Sequence, residues 1–195
     1  ALYLFEIDLL KEWAQRPIEE RLGLFRKHPE TVAKRDDAMA RYAGLLVQAG
    51  QLDKAIGVME KRHFHLWEGG VRFNAHDAWT DAHIERGRQR LRAKDARGAL
   101  ADFRRAMDYP ANLEATRSYR GSRAPEALYY EGLALEALGQ AEEAREAWRE
   151  SAAQLIGTED NPRPAVGSGA VLLYFQGRSL EKLGDRARAR RVFEA

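Results

Sequence analysis

Cysteine is missing from the chain altogether. Its absence removes disulfides, thiolate metal sites, cysteine nucleophiles and thiol redox chemistry together. Long apolar runs are missing too: mean hydropathy is -0.58, and no stretch approaches the ~18 uncharged apolar residues of a spanning helix. Proline is sparse at 6 residues and the 16 glycines are scattered, which argues against a fibrous or mainly disordered chain. Neither sign of charge dominates, since 32 Lys and Arg face 30 Asp and Glu for a net of +2. Neither nucleic acid nor a membrane surface is therefore an expected partner. Walker-type glycine loops, GxSxG, HExxH and dinucleotide fingerprints do not occur in the sequence, and no cofactor is expected.

What remains is ordinary for a soluble folded protein: 195 residues, 45% hydrophobic and 32% charged. Arg outnumbers Lys 25 to 7, read first as the codon bias of a GC-rich source. The chain starts Ala1-Leu2-Tyr3-Leu4 without an initiator Met and stops at Val192-Phe193-Glu194-Ala195 within a helical pattern. It reads as an excerpt of a longer polypeptide or one trimmed to its ordered part, so the lack of a signal peptide says nothing about compartment. A cytoplasmic location is the working expectation.

One pattern returns four times. A small residue stands at Ala43, Gly87, Gly132 and Gly177; seven residues on comes a turn position, Gly50, Lys94, Gly139 and Gly184. Five further is an alanine, Ala55, Ala99, Ala144 and Ala189, and four beyond that a large apolar residue, Met59, Phe103, Trp148 and Phe193. Apolar positions such as Leu128, Leu135 and Leu138 recur at helical intervals around the first small residue. Glycine at the turn takes the left-handed conformation that ends a helix, and a second amphipathic helix follows at once. The small residues let the two helices approach closely, and the aromatic is expected to fill the gap to the next pair. No pair buries its apolar face alone, so pairs must stack.

These residues resemble the tetratricopeptide repeat (TPR). The segment Leu128-Tyr129-Tyr130-Glu131-Gly132-Leu133-Ala134-Leu135-Glu136-Ala137-Leu138-Gly139, continuing to Ala144 and Trp148, carries the likeness most closely. It implies an all-α, TPR-like α-solenoid of antiparallel helix pairs with long inter-repeat loops, of about nine or ten helices. Arg90 departs from the usual aromatic or Leu, Lys94 from the turn glycine and Ser151 from the third alanine of the second helix. The small residues lie 44, 45 and 45 apart, against about 34 for a plain repeat. The extra residues fall in the connections Arg62–Ala75, Asp108–Pro125 and Ile156–Ser168, where loop entropy makes insertions cheap and function often resides. Leu2–Arg16 and Ile18–His28 read as a degenerate first pair, with Phe25 in the aromatic slot, Arg21 in the alanine slot, and Pro29 closing the second helix. The expected organisation is that degenerate pair over 1–30, then four pairs over 31–195 at about 36–62, 78–108, 125–155 and 169–195, in one continuous solenoid.

A second resemblance rests on Arg62-His63-Phe64-His65-Leu66-Trp67-Glu68-Gly69-Gly70, then Ala99, Phe103, Ala106, Tyr109-Pro110 and Asn112-Leu113, then the Tyr130–Gly132 helix. This string is similar to the C-terminal TPR region of large uncharacterised bacterial proteins. Their N-terminal domain is of unknown function, sugar-related and rich in β-structure. The resemblance implies the helical tail of such a protein and supplies no catalytic residue.

Candidate chemistry divides into three places. In His63–Gly70, two histidines two apart face one side of an extended segment, and His76 and His83 lie seven apart on a helix. Imidazoles so placed can hold a metal, but no carboxylate stands at a familiar ligand spacing, and no metal is expected. The leading reading is that Phe64 and Trp67 plug the connection while Gly69-Gly70 makes the turn; the competing one is contact with a ligand through His63, His65, Trp67 and Glu68. The carboxylate pairs Asp36-Asp37, Glu142-Glu143 and Glu159-Asp160 fall in polar helix starts or loops and favour helix N-termini over glycosidic acid–base work. Arg117, Tyr119, Arg120 and Arg123 form a basic-aromatic mix that suits RNA, set aside on the small net charge. Asn161-Pro162-Arg163-Pro164 reads as a stiff loop.

Charge is segregated: His83–Arg105 carries eight basic against three acidic residues, and Glu126–Glu150 seven Glu against two Arg. The plain reading is solvated faces with inter-repeat attraction. The TPR resemblance implies more, because its groove-facing positions fall on Arg88 and Arg92, Arg178 and Lys182, Tyr129 and Tyr174. Each cationic pair is i,i+4. Such a groove suits an acidic peptide tail or an anionic saccharide, although the Lys/Asn arrangement of the chaperone-type carboxylate clamp is missing. The expected function is a non-catalytic scaffold for a protein or peptide, including the N-terminal domain of its own parent chain. The alternative is an accessory helical domain contributing to carbohydrate binding, with Trp67, Trp79 and loop residues lining a site. A C-terminal apolar helix face inviting end-to-end dimerisation is also expected. Trp67→Ala separates plug from contact: the plug predicts a loss of about 3–5 kcal/mol in a denaturant melt, and unchanged stability with lost binding would favour contact.

Overall fold

The computed structural model describes residues 2–65, 75–114, 120–153, 157–158, 161–162 and 169–194. Eleven α-helices occur among the described residues: α1 (Leu2–Trp13), α2 (Ile18–Lys27), α3 (Pro29–Ala33), α4 (Asp36–Gln48), α5 (Leu52–Glu60), α6 (Ala75–Arg92), α7 (Ala96–Met107), α8 (Arg120–Ala137), α9 (Ala141–Ala153), α10 (Gly169–Leu183) and α11 (Arg186–Phe193). The one beyond expectation is α3. Proline does end α2, but at the first position of α3 its fixed φ also suits a helix start, so Pro29 opens another turn and a half. The connector after α7 is likewise shorter than its sequence suggests. Ala111–Leu113 forms a 3₁₀ turn and α8 begins at Arg120, holding Pro125 inside it. As the sixth residue of α8 it removes one i→i−4 hydrogen bond of the helix. Asn161–Pro162 pairs antiparallel with Gly157–Thr158, while Arg163 and Pro164 lie outside the described residues.

The chain forms two compact units, Ala1–His83 with Tyr109–Ala115 and Ile84–Asp108 with Thr116–Ala195. The core of the first holds Leu22, Phe25, Leu45, Leu46, Met59, Phe64, Trp79 and Leu113. In the second, α7 packs on α8, α8 on α9, α10 on both α8 and α9, and α11 on α10.

The four turns between paired helices close identically. Gln51, Asp95, Gln140 and Asp185 each donate a backbone N–H to the carbonyl five residues back, on Leu46, Arg90, Leu135 and Leu180, at 2.8–3.0 Å. That bond requires a left-handed residue just before it. Gly50, Gly139 and Gly184 supply φ values of 70°, 77° and 87°, and Lys94 takes φ 64° without being glycine. Asp95 and Asp185 then cap the next helix, accepting from the backbone N–H of Gly98 (2.9 Å) and Arg188 (3.1 Å).

Within each pair of the second unit the small residue receives the large one. A Cβ on Gly87 would sit 2.5 Å from Phe103 Cε1, and a Cβ on Gly132 or Gly177 would overlap the ring of Trp148 or Phe193. Each aromatic thus also covers the glycine of its own pair, a contact beyond the expected filling of the gap to the next. Phe103 does both, since its ring also stacks on Tyr130 of α8 at 5.4 Å. The apolar surface left uncovered is larger at the N-terminus than at the C-terminus: Tyr3, Ile7, Leu10 and Trp13 are 43–78% exposed on one face of α1, against 45–50% for Val171, Tyr174 and Phe193.

Leucine at Gly87, Gly132 or Gly177 should therefore overpack a closed crossing and destabilise by about 1–3 kcal/mol each. Thermal melts and limited proteolysis unchanged by all three substitutions would contradict this packing.

Candidate functional site

The six residues that the resemblance assigns to groove-facing positions all lie in the second unit. Rings run through it in sequence. Tyr130 lies 5.4 Å from Tyr129, Tyr129 is 5.6 Å from Phe175, Phe175 is 5.2 Å from Tyr174, and Tyr174 is 6.2 Å from Phe193. Such tilted and edge contacts suit aromatic quadrupoles. Tyr129 and Tyr174 occupy unequal places in this run. Tyr129 is only 7% exposed and its phenol hydrogen-bonds Arg178, whereas Tyr174 is 50% exposed and presents the outward ring. Tyr130, a neighbour that the groove-position mapping leaves out, is the hub: Phe103, Tyr129 and Phe175 surround it and the Arg88 guanidinium lies 5.4 Å from its ring centre. Burial pushes its phenol pKa up, against the pull of Arg88.

The four cations are present on the surface but not bare. Arg88 and Arg92 share Glu85 at 2.8 and 3.2 Å, Arg178 pairs with Glu181 at 3.1 Å, and Lys182 pairs with Glu136 at 2.6 Å. Lys182 also stands 5.0 Å from the Trp148 ring centre. The Tyr129 phenol, then Glu181, holds the Arg178 pKa above its usual value. Four cations against three glutamates leave one positive charge over. The charge segregation is partly spent between helices, as Arg104 of α7 meets Glu131 of α8 at 2.7 Å.

In the first unit, His63 and His65 do share a side, with ring centres 4.8 Å apart. Carboxylates accompany them after all, supplied from far along the chain: His63 Nε2 meets Glu114 at 2.7 Å and His65 Nδ1 meets Asp36 at 3.1 Å. Sequence spacing alone gives no sign of partners 51 and 29 residues away. Among the described residues no three His, Cys, Asp or Glu side chains converge as a metal site. His76 and His83 are buried in α6, the first against Tyr109 and the second against Trp79. Seven residues of helix set them ~10.5 Å apart along its axis. Trp67, Glu68, Arg117, Tyr119, Glu159 and Asp160 lie outside the described residues; Arg123 pairs with Glu126 at 2.6 Å.

Asp36 and Asp37 behave as structural anions. Burial raises the Asp36 pKa, but the His65 N–H, Arg62 and the His65 ring together hold it below its ordinary value, while Arg35 does the same for Asp37. A glycosidic general acid needs the opposite shift.

Comparison with known proteins supports the fold without naming a family. No protein-family model matches the chain. It is similar to a solved structure of a MamA double mutant, MamA RS-1 ArsTM, at 16% identity and a TM-score of 0.51, covering 98% of this chain and 89% of that one. A crystal structure of MamA aligns at 15% identity and a TM-score of 0.50, covering 96% of this chain and 91% of that one. The fold is TPR-like. It is all-α, of the α-solenoid class built from antiparallel helix pairs.

The densest buried titratable cluster is a brace rather than a site. Asp8 of α1 is fully buried and accepts from Arg21 Nε (2.9 Å) and Nη2 (3.1 Å) of α2 and from Arg41 Nε (2.6 Å) of α4. Glu12 meets the same two arginines at 3.0 and 2.8 Å. Burial pushes both carboxyls up, but the two guanidiniums outweigh it and hold them below their ordinary 3.8 and 4.5. His76 is depressed below 6.5 by burial, against the opposing charge of Asp77. Folded pKa values below the unfolded ones mean stability that is complete above the ordinary values and lost as pH falls. Stability should thus decline in two stages, first below about 6.5 through His76 and then below about 4.5 through Glu12 and Asp8. Urea melts across pH check this, with His76→Gln removing the first stage. Asp8→Ala, which removes one of the two carboxylates that meet buried Arg21 and Arg41, should cost about 3–5 kcal/mol.

Proposed function

We propose that the chain is a non-catalytic protein-interaction scaffold whose contact face lies in the second unit. One observation carries the reading: Tyr174 stands half-exposed near the outer end of a continuous ring run that closes on Phe193, with Arg178 and Lys182 on its own helix and Arg88 over the inner end. Tyrosine and arginine anchors of this kind dominate binding energy in protein interfaces. The surface ion pairs that hold the cations contribute only ~0–1 kcal/mol each, so a partner's carboxylates exchange with Glu85 and Glu181 at little net cost. The rings beneath keep the face in one conformation, which limits the entropy lost on binding.

The partner on this reading is an acidic peptide segment, carried by the N-terminal, sugar-related domain of a larger bacterial parent in the cytoplasm. What supports that is the likeness of the His63–Gly70 and Tyr109–Leu113 strings to such parents and the positive surplus on the face. No helix among the described residues is long and apolar enough to cross a membrane.

Arg88→Glu with Arg92→Glu should weaken an acidic Glu/Tyr peptide at least tenfold, about 1.4 kcal/mol, as followed by amide shift perturbations around Arg88, Tyr174 and Arg178. Equal affinity for the charge-reversed protein would end this reading. Saturable binding of soluble oligosaccharides, with shifts at the same residues, would support the accessory carbohydrate domain instead.

A further inference from the structure

A second concave surface lies in the first unit, and it owes nothing to the ring run of the second. It is a groove of about 780 Å³ between α4, α5 and the segment that leaves α5. Met39, Tyr42 and Val58 form its apolar lining; Lys34, Lys61, Arg62, His63 and His65 surround them, with Asp36 as the single carboxylate. Tyr42 is held in place by stacking on buried Phe25 at 6.1 Å.

The segment carrying the basic residues is rigidly set. Asn112 donates its side-chain N–H groups to the carbonyls of Met59 (2.8 Å) and Arg62 (2.7 Å), and the Phe64 N–H donates to the Asn112 carbonyl at 2.7 Å. Phe64 is buried below. His63 and His65 are thereby turned outward, with side chains 55% and 71% exposed.

Charge in the groove is uncompensated. Asp36 is fully engaged: Oδ1 accepts from Arg62 at 2.6 Å, and Oδ2 accepts from the His65 backbone N–H at 3.0 Å and faces its ring. Arg62 spends its remaining Nη1 on the Ala33 carbonyl at 2.8 Å. Lys34 and Lys61 are exposed and have no ion-pair partner among the described residues. Both stand at helix C-caps, of α3 and α5, where a cation is favourable whether or not anything binds. That local preference accounts for each lysine singly. It does not account for the two of them facing an apolar recess beside a neutralised aspartate.

We propose that this groove binds an extended acidic peptide, its carboxylates meeting Lys34 and Lys61 while one aliphatic or aromatic side chain covers Tyr42, Met39 and Val58. An extended peptide fits better than a small molecule because the rim residues are solvent-exposed, whereas small-ligand sites enclose most of their ligand.

The chain contains three methionines, Met39, Met59 and Met107, so methyl-labelled methionine gives a site-resolved readout. A peptide alternating Glu and Phe should shift the Met39 methyl saturably, leave buried Met59 still, and weaken as salt rises. A peptide with Gln in place of Glu should bind at least tenfold more weakly. Lys34→Glu with Lys61→Glu, both exposed and without an ion-pair partner among the described residues, should reduce the Met39 response at least tenfold, with the melting temperature lowered only slightly by two unfavourable charges at helix C-caps. The same variant leaves the shifts around Arg88 and Tyr174 intact, which keeps this groove distinct from the face in the second unit. An unmoved Met39 methyl, an equal response to the Gln peptide, or an undiminished response in the double variant would each overturn the proposal.

Discussion

The contact of an aromatic ring with a bare glycine backbone is what the second unit is built on. Three times, a ring from the second helix of a pair sits where a side chain on the first helix would be: Phe103 on Gly87, Trp148 on Gly132, Phe193 on Gly177. Removing a Cβ costs helix propensity of about 1 kcal/mol, and the ring burial it permits returns more than that. The contact also sets the turn, because two helices that close need an abrupt reversal, and the left-handed residue with its fixed hydrogen bond supplies it. Lys94 accepts that backbone conformation without glycine's freedom; the closure of the pair outweighs the strain.

Residues that break the repeat pattern are balanced by partners elsewhere in the same unit. Arg90 stands where an apolar residue is usual, and buried Asp102 of α7 receives it at 2.9 Å alongside Arg86 at 2.7 Å. Arg21 fills an alanine slot because Asp8 waits opposite. Ser151, another lost alanine, donates to the Pro125 carbonyl and accepts from Ser179, both at 2.8 Å. Each exchange trades apolar packing for a polar link that holds only if every member is satisfied. The inter-helix register becomes more specific as a result.

The same logic separates the two surfaces with binding potential. In the second unit, cations sit over a buried aromatic run and are held by glutamates, so the face is ordered and its charge exchangeable. In the first, the groove cations at Lys34 and Lys61 have no such counter-ions among the described residues, while the carboxylate nearby is consumed in bracing the rim. Order in the first case comes from rings, in the second from the amide of Asn112.

Helix pairing, the turns and the small-residue crossings were legible in the sequence. They depend on local conformation and on spacings within ~20 residues, and a repeat displays those directly. The histidine side-by-side placement was legible for the same reason. What tertiary structure alone decided is which groups meet across long separations. Asp36 and Glu114 reach the two histidines, Asn112 ties down the segment before them, Tyr129 sinks while Tyr174 stays outside, and Tyr130 becomes the hub. No spacing rule connects residues 29 to 53 apart when a loop of arbitrary length lies between them; only the stacking of helix pairs brings their side chains within hydrogen-bonding reach.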